Sequence, residues 1–243
     1  MDHPNLNHDF QTTHWSLVVG SREPDSAVRR DSLEQLCQAY WYPLFAYLRR
    51  RGQSHEQAAD DVQSFFMELI DKDFLQTVSP EKGRFRWFLM AAVQRHLAKQ
   101  AEKRHAQKRG GGRQFLSIDW GNAEERYQLE PVDGWTAEKL FERRWGLTVL
   151  QQALEQIRAK QEEKGKLDLY LALQPTLSGA PMTQEQYLEI GERFSMLAST
   201  VKVAALRLRE NYRDAIRDIV AQTVSDGLQV GDELDQLLAA LKG

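Results

Sequence analysis

The sequence predicts an all-α protein in which two helical domains are joined by a flexible linker. Three observations carry this prediction. Apolar residues recur at three- and four-residue spacing through almost the whole chain, the period of a helix with one buried face. No segment of convincing length alternates apolar and polar residues as a half-buried strand would. Capping signals, glycines and prolines divide the helical pattern into pieces of ordinary length.

The first domain spans 28–108, after an N-terminal flank over 1–27. Leu33, Leu36, Cys37, Tyr40, Leu44, Tyr47 and Leu48 line one face of its first helix. Pro43 falls inside that pattern and is expected to kink the helix rather than end it. Ser54-His55-Glu56-Gln57 is a capping box, in which the Ser54 hydroxyl takes a free backbone N–H and Gln57 reaches back. The helix it opens carries Ala58, Val62, Phe65, Phe66 and Leu69 on one face, with Asp60, Asp61 and Glu68 opposite. A loop over 77–83, broken by Ser79-Pro80 and Gly83, leads to a third helix with Phe85, Phe88, Leu89, Ala92 and His96 as its inner stripe.

The pattern lapses at Lys108-Arg109-Gly110-Gly111-Gly112-Arg113, and 109–135 reads as the linker. The triple glycine has neither the preceding strand nor the following Lys-Ser/Thr of a P-loop. The second domain spans 136–224. Leu140, Phe141, Leu147, Leu150, Leu154 and Ile157 mark one long helix, LDLYLAL follows Gly165, and Pro175, Gly179 and Pro181 mark a loop. Thr183-Gln184-Glu185-Gln186 is a second capping box, opening a helix to about Arg193; a long helix then runs from about Ser199 to Thr223. A small acidic helix with Leu234, Leu237, Leu238 and Leu241 closes the chain within 225–243. It reads either as a regulatory or docking element or as a cap over the second domain's core.

A single cysteine excludes an intramolecular disulfide and a multi-cysteine zinc site. Cys37 sits among apolar positions and reads as a buried, inert thiol. The histidines show neither His-x-x-x-His nor His-Glu-x-x-His spacing, and the paired carboxylates lie on charged helix faces without a nucleophile. No metal, cofactor or enzymatic activity is therefore expected. No run approaches the roughly 18 apolar residues of a membrane span, and MDHPNLNHDFQ lacks the basic and apolar regions of a signal peptide. The expectation is a cytoplasmic protein without a membrane partner.

Charge supplies the strongest functional signal. From Lys82 to Arg113 there are ten Lys or Arg against one acid, Glu102, in a chain whose net charge is −3. Such a concentrated basic helix is an electrostatic footprint for nucleic acid. Arg95, Lys99 and Lys103 recur at four-residue spacing as a phosphate-tracking stripe, with Gln94 and His96 near enough to contact bases. Trp87 is the aromatic best placed to stack an unpaired base, although an aromatic at a helix start also suits a core.

Gln186 to Tyr212 reads as helix, tight turn, helix. Tyr187, Ile190 and Phe194 are apolar on the first helix, as are Val201, Ala204, Ala205, Leu208 and Tyr212 on the second, and Gly191 is small where the two must approach. In a helix-turn-helix the second helix enters the major groove by its N-terminal residues. That geometry puts Ser199, Lys202 and Val203 nearest the bases and Arg207, Arg209 and Arg213 nearer the phosphates. Two packed helices with a solvated charged face are the alternative for this block.

Taken in order, these segments resemble the sigma-70 superfamily, and within it the two-domain extracytoplasmic-function (ECF) type of RNA polymerase sigma factor with a C-terminal extension. LCQAYWYPLFAYLRRRG and AADDVQSFFMELI are similar to the helices of sigma region 2 that dock on the polymerase. GRFRWFLMAAVQRHLAKQAEKRHAQKRGGG resembles the helix that reads the promoter −10 element, and YLEIGERFSMLASTVKVAALRLRENYRDAI resembles region 4, which reads the −35 element. FQTTHWSLV and the closing acidic helix resemble the flanks of one subgroup. The resemblance implies that Asp60, Asp61, Gln63 and Glu68 face core RNA polymerase, and that the 77–83 loop holds a flipped-out base. It implies core RNA polymerase and promoter DNA as partners, with an anti-sigma factor or other regulator as a further candidate.

The chain departs from the family pattern at the turn. Ser195 stands where a glycine is usual, and Leu197 where a serine usually caps the recognition helix. A residue with a Cβ enters the left-handed region only at a cost, so a reshaped turn with Ser199 as the cap is expected. Two other readings stay open: a stand-alone helix-turn-helix regulator, which leaves the acidic and basic helices unassigned, and a helical protein-binding adaptor, which predicts no salt-dependent DNA affinity.

Overall fold

The structure is a computed structural model that describes residues 18, 20–23, 26–71, 75, 84–106, 122–130, 134–179, 181–224 and 229–242. Among them are nine α-helices and no strand. In chain order these are α1 (Ser26–Arg50), α2 (His55–Asp71), α3 (Phe85–Ala106), α4 (Ala123–Gln128) and α5 (Ala137–Glu163). Then follow α6 (Leu167–Leu173), α7 (Gln184–Arg193), α8 (Ala198–Ala221) and α9 (Val230–Lys242). They form two compact units. The larger draws on Gln11–Thr148 and Ala221–Gly243, the smaller on Val149–Val220. The division falls within α5, and the chain returns to the larger unit after α8.

α1 is the hub of the larger unit. Its expected apolar face is buried, but so are Ala39, Tyr42, Phe45 and Ala46, so the helix is enclosed nearly all round from Ala39 to Leu48. Pro43 lies inside this enclosed stretch without ending the helix. A proline there loses one backbone hydrogen bond and costs about 3 kcal/mol. Leu44, Phe45, Tyr47 and Leu48 are fully buried around it, and each such side chain contributes about 1.5–3 kcal/mol, so burial outweighs the break. Phe65, Phe66 and Leu69 of α2 and Phe85, Leu89 and Val93 of α3 supply further core from the same unit.

The segment expected to link the domains is partly folded. Residues 107–121 lie outside the described residues, whereas 122–130 form α4 and its exit, held on α1 by charge. Arg49 pairs with Glu124 at 2.7 Å, and this bond keeps the Glu124 carboxyl below its ordinary pKa. The Tyr42 hydroxyl donates to Glu130 at 2.9 Å, the Arg144 guanidinium bonds the same carboxylate, and Arg126 lies 3.7 Å over the Tyr42 ring. Burial raises the Tyr42 phenol, and Glu130 adds to the rise. A six-residue helix whose anchors are ionic leaves no apolar period, which is why the sequence pattern does not register it.

Local signals set three helix starts where they were expected. In the Ser54 capping box the Gln57 N–H donates to Ser54 Oγ at 3.2 Å, and the Ser54 N–H to Gln57 Oε1 at 3.4 Å. Thr183 and Gln186 form the same reciprocal pair at the start of α7. Thr136 Oγ1 accepts the Lys139 N–H at the start of α5.

The C-terminal helix α9 packs in the larger unit rather than over the helix-turn-helix core. Leu237 and Leu241 lie where a Cβ on Gly146 of α5 would meet them at 3.1 and 3.4 Å. Arg143 of α5 donates to the Leu241 carbonyl at 3.2 Å. In the smaller unit, the Tyr170 and Tyr212 hydroxyls donate to the Leu154 and Leu150 carbonyls, fastening α6 and α8 to the second half of α5.

Cys37 is buried, and desolvation pushes its thiol up to about 12. The folded protein should therefore leave Cys37 unmodified by iodoacetamide at pH 8, and denaturant should release one reactive thiol. Mass spectrometry showing native alkylation at the denatured rate would contradict this burial.

Candidate nucleic-acid interface

α3 carries the basic stripe on a helix whose inner side is locked to α2. Trp87, Ala91, Gln94, Arg95, Ala98 and Lys99 follow one another at helical spacing on the exposed side, and Trp87 is 52% exposed. The Gln94 side-chain amide donates to the Tyr47 hydroxyl at 3.2 Å, which orients it from α1. Arg95 Nε donates to the Ala91 carbonyl at 3.1 Å and holds its guanidinium along the helix. Lys103 lies near the end of α3, with its side chain outside the described residues. The 77–83 loop also lies outside them.

His96 faces inward and is only 5% exposed. Its Nδ1 lies 2.6 Å from Glu68 Oε2, its Nε2 lies 2.8 Å from Ser64 Oγ, and the ring packs edge-on against Phe65. A carboxylate only accepts, so Nδ1 carries the proton in this pair. Lys99 Nζ reaches the other oxygen of Glu68 at 3.2 Å. One carboxylate of the acidic helix thus holds two side chains of the basic one.

The four acidic-helix positions singled out in the sequence divide by environment. Asp60 is exposed and Gln63 half-buried, whereas Asp61 is only 3% exposed. Gln53 Nε2 donates to Asp61 Oδ2 at 3.0 Å, closing the turn before α2. Glu68 is half-buried beneath His96 and Lys99.

The sequence reading did not single out a cluster at the start of α3. Glu233 of α9 is fully buried. Arg84 Nε lies 2.6 Å from its Oε2, and Arg86 Nη1 pairs with its Oε1. Arg86 Nε also bonds Glu142 of α5 at 2.7 Å, while Gln236 Oε1 accepts from both arginines. The Arg86 guanidinium lies 4.2 Å over the Trp145 ring and 5.6 Å from Trp87; that of Arg84 lies 4.6 Å from Trp87. Burial lowers the pKa of both arginines, and Glu142 opposes the shift. One signal was available in the sequence: with Val230, Leu234 and Leu237, Glu233 occupies the apolar stripe of its helix.

In the smaller unit, α7 and α8 form the helix-turn-helix. Tyr187, Ile190, Val201, Ala205 and Leu208 are buried between them. Ser199, Lys202, Val203, Arg207 and Arg213 are exposed on α8, while Arg209 is half-buried and bonds the Ala205 carbonyl at 3.4 Å. Lys202 Nζ also lies 5.5 Å over the Tyr187 ring. Leu197 is 75% exposed at the tip, with Val203 and Leu206 exposed beyond it, so this surface combines cations with apolar side chains.

The turn keeps its glycine-like geometry despite the substitution. Ser195 adopts φ +54°, and α8 starts at Ala198 with the Leu197 carbonyl taking the Thr200 and Val201 N–H groups. Leu197 is therefore the N-cap, and the expected transfer of that role to Ser199 does not occur, because Ser199 already lies within the helix. The turn folds onto Gly191, where the Met196 N–H donates to the Gly191 carbonyl at 2.8 Å and an added Cβ would meet Met196 O at 2.6 Å. That enforced closeness outweighs the left-handed penalty at Ser195.

Ser195→Gly should raise stability by about 0.5–1 kcal/mol, because relief of a ~1–2 kcal/mol left-handed penalty exceeds glycine's ~0.5–1 kcal/mol entropic cost. Gly191→Ala should lower it by about 1–3 kcal/mol through overpacking against fixed backbone. Urea unfolding followed by circular dichroism checks both signs; a stabilised Gly191→Ala would mean that the turn is looser than its geometry.

No helix among the described residues is long and apolar enough to cross a membrane, and no group of three or more His, Cys, Asp or Glu among them is placed to hold a metal ion. The family model described as ECF sigma factor matches residues 34–218, a span that takes in α2, α3, the helix-turn-helix and most of α1. No curated protein and no solved structure matches the chain. With its all-helical fold, basic helix and helix-turn-helix, the chain belongs to the ECF sigma factor family and has the role of a sigma factor in transcription initiation.

Proposed function

We propose that the protein binds core RNA polymerase through the outer face of α2, reads and opens the promoter −10 element along α3, and contacts the −35 element through α8. The larger unit is then the region 2-like part and the smaller the region 4-like part. The observation that carries this reading is the exposed stripe of α3, where Trp87, Gln94, Arg95 and Lys99 share one side of a helix anchored from behind. Cations spaced one turn apart follow a phosphate backbone, an exposed indole stacks on a base taken out of the duplex, and an oriented amide reads a base edge.

His96 contributes by position. Its ring ties α3 to α2 through Glu68 and Ser64, so the helix that holds polymerase and the helix that meets DNA move as one body. Lys99 shares Glu68 and is exposed, so it can exchange that carboxylate for a phosphate. On α2, Asp60 and Gln63 are the side chains free to meet a basic surface of the polymerase; Asp61 serves the turn instead. On α8, Lys202 and Val203 lie at the reading end, Arg207 and Arg213 reach phosphates, and the apolar tip suits thymine methyl groups in the major groove.

Three outcomes test the assignment. Asp60→Lys should weaken the complex with core polymerase, measured by competition against a labelled sigma factor, while circular dichroism stays unchanged. Asp61→Ala should instead lower stability by about 1–3 kcal/mol, since it strands the Gln53 amide. Undiminished polymerase binding by Asp60→Lys would remove α2 as the docking helix. Arg95→Ala with Lys99→Ala should weaken promoter binding by the holoenzyme and reduce its salt slope by about two units, one for each lost phosphate contact. An unaltered slope would make the stripe a solvated face only.

A further inference from the structure

We infer that the C-terminal helix α9 is a working part of the DNA-opening surface: through Glu233 and Gln236 it fixes Arg84 and Arg86, and these hold Trp87 outward as a stacking platform for an unpaired base. The inference rests on the proposed role of α3 and assigns that role its positioning residues.

Trp87 stands on the first turn of α3, where an indole without lateral support would sample several rotamers. Here two guanidiniums lie within cation–π reach of its ring, at 4.6 Å from Arg84 and 5.6 Å from Arg86. Neither guanidinium is free to wander. Arg86 is 2% exposed, lies over buried Trp145 and is bonded to Glu142 and Gln236, while Glu233 takes charge from both arginines. Leu237 and Leu241 seat α9 against Gly146, which places Glu233 and Gln236 at that spot. The indole is the part of the assembly that remains open, at 52% exposure.

The ligand class follows from this geometry. A supported aromatic face beside cations binds a nucleobase by stacking and an adjacent phosphate by charge, tolerates any base, and is useless to an intact duplex. Glu233 and Gln236 touch neither base nor phosphate, so they are positioning residues.

The test uses the full-length protein in complex with core polymerase and a short single-stranded oligo(dA) carrying one 2-aminopurine, whose fluorescence falls on stacking. Trp87→Ala should weaken strand binding roughly tenfold and abolish the quench, as loss of one base–aromatic stack does. Gln236→Ala, at an exposed position that leaves the apolar seat of α9 intact, should weaken both several-fold. Glu233→Gln, which keeps shape and loses charge, should do the same if its unfolding midpoint shows it folded. The decisive readout is the double variant: Trp87→Ala with Gln236→Ala should be no weaker than Trp87→Ala alone, since both remove one platform.

Wild-type quenching in Gln236→Ala, or additive losses in the double variant, would overturn the inference. Tighter strand binding by Gln236→Ala would also overturn it, by making α9 a brake on the surface. If the protein forms no complex with core polymerase, the sigma-factor mechanism falls instead. The same variants titrated with the strand in the free full-length protein then judge the platform by the same criteria.

Discussion

Burying Arg86 together with Glu233 is the constraint on which the larger unit depends. Each ion costs several kcal/mol to take out of water, and the cost is recovered only when partners meet it in good geometry. Here the partners come from three separate stretches of chain: Arg84 and Arg86 at the start of α3, Glu142 on α5, and Glu233 with Gln236 on α9. Displacing α3 would leave Glu233 buried without a cation, and displacing α9 would strip buried Arg86 of two of its three polar partners. The cluster therefore acts on specificity of packing, and the apolar seat of α9 on Gly146 supplies the attraction that hydrophobic contact gives.

The same logic recurs at smaller scale. Glu68 binds His96 and Lys99, Glu130 takes Tyr42 and Arg144, and Glu124 takes Arg49. In each case a carboxylate on one element collects donors from another, so the helices around α1 are registered by polar contacts laid over a continuous apolar core. That arrangement serves the proposed function. A helix that opens DNA must resist being bent by it, and α3 is held from behind by α2 at its middle and by α5 and α9 at its start.

Legibility in the sequence follows the range of the interactions. The helices, both capping boxes and the helix-turn-helix were readable because hydrogen bonds and apolar periods within four residues create them. α4 was not, since six residues anchored by Arg49, Tyr42 and Arg144 have no period to detect. Ser195 was readable as a departure but not in its outcome. Whether the turn would yield or the serine would strain depended on Gly191 lying under the Met196 carbonyl. Among the candidate interface residues, Asp60, Gln94, Arg95, Lys99, Lys202, Val203, Arg207 and Arg213 reach the surface, whereas Asp61 and His96 turn inward. A helical wheel assigns a face and cannot say which neighbour covers it.

The sequence by itself determined the helical class, the capping-box helix starts, the concentration of charge on α3, and the ordered set of segments that places the chain among ECF sigma factors. All of these are local or additive along the chain. Only the tertiary structure decided that α9 belongs with α3 and not with the helix-turn-helix, that α1 is enclosed nearly all round, and that an acid in an apolar stripe finds two arginines almost 150 residues away. The physical reason is that desolvation of a charge is settled by everything that surrounds it, and what surrounds Glu233 exists only once distant parts of the chain have met.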